Sequence, residues 1–151
     1  MTFSVRLQDL PPTLRQDQWR LVALGWLRAI GYLSPGYDPK TGVTKVTASV
    51  PFRIVELLLV RPDASWTVPQ LCGRLRTTAP TIYRHLHKLD RMALLGRGDE
   101  EGRAVSYHLA NHELPLAWSV CEANARAALA RNRTVCAHLQ RLIGDREPLD
   151  G

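Results

Sequence analysis

The stretch PFRIVELLLVRPDASWTVPQLCGRLRTTAPTIYRHLHKLDRMALLGRGDEEGRAVSYHLA, residues 51–110, decides the fold. Pro51 suits the first turn of a helix that Ser49 can cap. Ile54, Leu57, Leu58 and Val60 give that helix a core face, and Arg61-Pro62-Asp63 ends it. Trp66-Thr67 is expected as a short strand pairing with the hairpin that follows. Thr67 also caps a second helix over 68–75, with Pro69 early in it. Thr77 and Thr78 make a turn, and Pro80 opens a third helix. There Ile82, Leu86 and Leu89 share one face at i, i+4 and i+7. Met92 and Leu94 continue the core. Segments 95–98 and 103–109 read as two strands joined by Asp99-Glu100-Glu101-Gly102.

That order of elements is a winged helix-turn-helix, a mainly α fold with a small β wing. Its physical use is to set the third helix in a DNA major groove. Residues 1–50 and 111–151 flank it, and the three parts are expected to form one compact domain. Residues 1–11 read as a loose arm. A helix is expected from Thr13, with Trp19, Val22, Ala23, Trp26, Ile30 and Leu33 at helical spacing and Gly31 as its stop. Asp38-Pro39-Lys40-Thr41-Gly42 is turn chemistry. After it, Val43, Lys45 and Thr47 alternate with Thr44 and Val46, which predicts a short hairpin.

A last helix is expected over 114–143. Trp118, Cys121, Ala125, Ala128, Asn132, Val135, Leu139 and Leu142 recur in alternating steps of three and four, a heptad seam. At 1.5 Å per residue the helix is roughly 45 Å long, too long to bury its stripe on so small a module. A second copy of the chain is the economical partner, with Trp19 and Trp26 on the same interface. Ala125 and Ala128 would allow close approach, and Asn132 could fix register. The alternative is a helix folded back on the N-terminal helix of its own chain.

The 151 residues carry 20 Lys and Arg against 14 Asp and Glu, a net charge of +6. Charge alone says little, but its placement says more. Between residues 70 and 98, Arg74, Arg76, Arg84, Lys88, Arg91 and Arg97 face a single acid, Asp90. On the third helix, Pro80, Arg84 and His87 lie opposite the core face, flanked by Thr81, Tyr83 and Lys88. Arginine can bond guanine O6 and N7 together, which makes Arg84 the candidate base reader. Arg74, Arg76, Lys88 and Arg97 suit phosphates, which position without reading sequence. Thr77 and Thr78 suit phosphates at the helix entry, and Arg103 could reach the minor groove from the wing. His85 lies nearer the core.

Residues 49–62, 67–95 and 102–110 resemble the ArsR-type family of small winged-helix repressors. SVPFRIVELLLVRP is similar to their opening helix, TVPQLCGRLRTTAPTIYRHLHKLDRMALL to their two central helices, and GRAVSYHLA to their second wing strand. The resemblance implies a homodimeric repressor that binds operator DNA and releases it on a signal. The sensing positions depart from the family. Where its metalloid sensors carry a cysteine pair, this chain has Thr67 and Pro69, with Cys72 one turn later. Where its zinc sensors carry ligands on the last helix, this chain has Asn111, Glu113, Asn124 and Ala127. No metal and no cofactor is therefore expected, and the effector is open.

His108, His112 and Glu113 lack the dense cluster of a metal site. Cys121 and Cys136 are too far apart on one helix to pair, though an antiparallel partner helix could bring them together; otherwise they fill the seam as small apolar groups. Three cysteines and no apolar leader suggest a reducing, cytoplasmic setting, and no run reaches membrane-spanning length. There is no phosphate loop, nucleophile elbow or paired carboxylate, so no enzyme is expected. Two readings stand: a homodimeric transcription regulator bound to double-stranded DNA, or a winged-helix module for protein–protein or replication assembly.

Overall fold

The computed structural model describes residues 2–9, 18–34, 43–98 and 104–146. Its elements are α1 (Trp19–Ala29), α2 (Val43–Thr47), α3 (Val50–Val60), β1 (Trp66–Thr67), α4 (Val68–Leu75), α5 (Ala79–Arg91), β2 (Leu95–Gly98), β3 (Ser106–Leu109), a 3-10 turn (Ala110–His112) and α6 (Leu114–Asp145). This is the winged helix-turn-helix with flanking helices. The expected start at Thr13, the turn at 38–42, the wing tip and Arg103 lie outside the described residues.

Local chemistry accounts for the central helices. Ser49 stands at the N-cap of α3 in extended conformation, with Pro51 in the first turn. Thr67 and Gln70 form a reciprocal capping box at α4: the Gln70 N–H donates to Thr67 Oγ1 at 3.3 Å, and the Thr67 N–H to Gln70 Oε1 at 2.9 Å. Arg76 ends α4 in the left-handed region, φ 52°. The N–H groups of Arg76 and Thr77 both turn back to the Cys72 carbonyl. The chain is thereby aimed into α5, whose N-cap is Thr78.

The sheet order is β1–β3–β2, antiparallel throughout. Trp66 pairs with Tyr107, and Leu95 with Leu109. The sheet closes one side of a core built from Phe52, Ile54, Leu71, Ile82 and Leu86, each at most 1% exposed. Leu27 and Ile30 of the α1 region join the same core, as do Ala117 and Cys121 of α6.

Two expectations are corrected. Residues 43–47 form a helical turn, not a hairpin strand. Val46 packs against the core, and Ser49 Oγ donates to its carbonyl. Five residues, four of them β-branched, fit either period, so packing decides. Residues 2–9 are no loose arm. Ser4 N–H donates to the Arg91 carbonyl at 2.9 Å, Arg6 N–H to Ile30 at 3.2 Å, and Gln8 N–H to Ala29 at 2.8 Å. Gly31 makes this possible: its φ is +84°, and a Cβ there would stand 2.6 Å from Arg6 Cβ. No described helix is long and apolar enough to cross a membrane.

Candidate nucleic-acid interface

Helix α5 has two unlike faces. Ile82, Leu86 and Leu89 are buried, and Pro80, Tyr83, Arg84 and His87 are exposed. The Arg84 side chain makes no hydrogen bond or ion pair with any described residue, so its guanidinium fork is uncommitted. Tyr83 and His87 lie beside each other, ring centroids 6.0 Å apart, and cover the helix flank with aromatic surface. At the helix entry Thr78 is exposed and Thr81 half-buried, their hydroxyl oxygens 3.0 Å apart. Pro80 contributes no N–H here, so the entry offers hydroxyls and the remaining backbone donors. Arg76 is exposed beside the turn.

Three basic residues expected at phosphates have partners within the chain. Lys88 donates from Nζ to the Tyr32 carbonyl at 2.8 Å and lies 5.9 Å from the Tyr32 ring. Burial first, then the positive Arg6, lowers its pKa. A primary amine on four methylenes reaches inward as readily as outward, and here a carbonyl at the end of α1 claims it. Arg97 donates from Nη2 to Asp90 Oδ2 at 2.8 Å, its guanidinium 5.9 Å from the Tyr107 ring. Arg74 lies 5.4 Å from the Trp66 ring.

His85 points toward the core side. It sits edge-on to Tyr32 at 6.5 Å, and its pKa is lowered to about 4, by burial first and then by Arg84 and Lys88. Tyr32, itself buried, donates to the Pro51 carbonyl at 2.6 Å. Burial raises its pKa further above the ordinary phenol value.

The residues expected at an interface between copies divide along α6. Cys121 is 1% exposed inside its own chain's core, where burial raises its thiol pKa. That placement takes it off the open seam, so pairing with a partner's Cys136, which is exposed, is not supported. Ala125 and Ala128 are half-buried, and Asn132, Val135, Leu139 and Leu142 are exposed. The Asn132 amide donates to the Ala128 carbonyl of its own helix at 2.8 Å. Leu129 and Ile143, which the heptad spacing passed over, are exposed on the same arm. Trp26 and Trp118 meet edge to face at 6.1 Å, and with Trp19 they border an open apolar hollow of about 530 Å³.

His108 and His112 stack, ring centroids 4.2 Å apart and planes 9° apart, and His112 Nδ1 lies 2.9 Å from the Pro62 carbonyl. Gly96 leaves room for this pair, since a Cβ there would collide with His108 Nε2. Burial, then His112, lowers the His108 pKa. Among the described residues no group of three or more His, Cys, Asp or Glu side chains is placed to hold a metal ion.

No family model and no curated protein sequence matches the chain. Solved structures similar to it include MepR, a transcription regulator of the Staphylococcus aureus multidrug efflux pump MepA, at 17% identity over 67% of this chain and 84% of that one, TM-score 0.39. Lactococcus lactis ZitR in complex with DNA is similar at 14% identity over 90% and 92%, TM-score 0.36. M. tuberculosis Rv0081 is similar at 24% identity over 70% and 99%, TM-score 0.37. The order, capping and packing of this chain's elements define the fold.

Proposed function

We propose that this protein is a sequence-specific, double-stranded-DNA-binding transcription regulator, a homodimeric repressor of ArsR-like design. The observation that carries the reading is the outer face of α5. An uncommitted arginine, flanked by Tyr83, His87 and the hydroxyls at the helix entry, projects from a helix whose other face is locked in the core. Arg76, Thr77 and Thr78 supply the phosphate contacts, and Arg103 a minor-groove contact. Dimerisation through α6 and the tryptophans of α1 would set the spacing of two half-sites.

Fluorescence anisotropy with the DNA upstream of its own gene, against a scrambled duplex, tests this. Arg84→Ala should erase about 1–3 kcal/mol of preference between the two duplexes. Equal, salt-labile binding to both duplexes by the unaltered protein, at roughly 10⁻⁴–10⁻⁶ M, would instead favour the assembly module.

A further inference from the structure

A second concentration of positive charge lies away from the α5 face, where α1, α3 and α4 meet. Among the described residues, a cleft of about 320 Å³ there is lined by Arg20, Arg53, Arg61 and Arg74, with Glu56 as the one carboxylate. Arg20 already engages that carboxylate, from Nη2 at 2.5 Å and from Nε at 3.2 Å. The guanidinium groups of Arg53 and Arg61 make no hydrogen bond or ion pair with any described residue. Arg53 lies in α3 and Arg61 at its C-cap, with Glu56, Leu57 and Val60 between them on the cleft wall, and Arg74 reaches the cleft from α4. Arg61 and Arg74 stand at the C-terminal ends of their helices, where a cation is favoured. Arg53, in the first turn of α3, has no such support, since a helix N-terminus favours negative charge.

We propose that this cleft is a binding site for a phosphate group. Guanidinium forks match phosphate oxygens in pairs, and like charges crowded into a cleft focus the field on an anion. Leu57, Val60 and Leu75 complete the walls. The apolar backing excludes water from one side and strengthens the charge contacts. The phosphate comes either from a free phosphorylated compound or from duplex backbone beyond the reading helix. The inference stands apart from the proposed regulator, because neither source needs sequence recognition.

The test compares the full-length protein with the R53Q/R61Q variant, one position half-buried on α3 and the other exposed at its C-cap, neither part of the α5 face. Inorganic pyrophosphate is titrated by calorimetry. In parallel, binding to a duplex of random sequence is followed against salt. For a free phosphate ligand, pyrophosphate binds and the double variant weakens it at least tenfold. For a duplex phosphate, pyrophosphate leaves no heat, and in the variant the salt slope falls by about 0.9 for each phosphate it no longer neutralises, on any sequence. Identical behaviour of the two proteins in both arms overturns the proposal. Pyrophosphate binding by a protein that ignores operator DNA would sink the regulator reading and leave this one standing.

Discussion

Along α6, the residues before Ala128 and those after it keep one apolar spacing and meet opposite surroundings. Ala117 and Cys121 are 0% and 1% exposed, packed into the chain's own core, whereas Val135, Leu139 and Leu142 are 60%, 53% and 55% exposed. Every residue from 129 to 146 is exposed. A heptad rhythm therefore announces that a face will be covered without saying by what. In the first half the answer is the winged-helix core. In the second half the helix has run beyond the described residues of its own chain, by roughly 25 Å at 1.5 Å per residue.

The sharpest way to break this contrast is to truncate side chains on each side of it. Leu86→Ala removes a side chain 1% exposed in the core. It should cost about 2–5 kcal/mol in urea unfolding followed by circular dichroism. The double change Leu139→Asp and Leu142→Asp should leave the protomer's core intact and act on assembly. Wild-type protein should sediment as a dimer with a concentration-dependent unfolding midpoint. The variant should sediment as a monomer whose midpoint no longer moves with concentration. A variant that stays dimeric would place the interface elsewhere.

The smallest effect concerns the inner side of α5. His85, with its pKa lowered to about 4, refuses a proton that the unfolded chain accepts near 6.5. Its contribution is complete above about pH 6.5, falls as pH drops toward 4, and is constant below. The half-buried ring is partly screened, so about 1–2 kcal/mol is expected across that window. His108 adds a slope of the same sign. His85→Asn should flatten its share of the slope in stability measured from pH 7 to pH 4, while leaving the part due to His108.

The central module was legible because each of its signals is local. Thr67 and Gln70 stand three residues apart, Ile82, Leu86 and Leu89 follow one helical face, and Gly96 and Gly98 lie in the strand they were assigned to. What was not legible depends on partners distant in sequence. The positive charge of Lys88 could be read, but not its direction, because the carbonyl it meets is 56 residues away. The same holds for residues 2–9, tied to carbonyls at 29, 30 and 91. The cluster of Arg20, Arg53, Arg61 and Arg74 escaped notice because three helices must assemble before it exists. Along α3 and its C-cap, a basic pair at positions 53 and 61 was its only trace.

The inward turn of Lys88 has a mechanical consequence. The C-terminal end of α5 is fastened to the end of α1 by the Lys88–Tyr32 bond and to the N-terminal segment by the Ser4–Arg91 bond, while that segment is bonded along α1 at residues 29 and 30. Trp19 and Trp26, at the other side of the same α1, border the open hollow. Helix α1 thus carries the indoles that border the hollow and, at and past its C-terminal end, the backbone groups that hold α5 and the N-terminal segment.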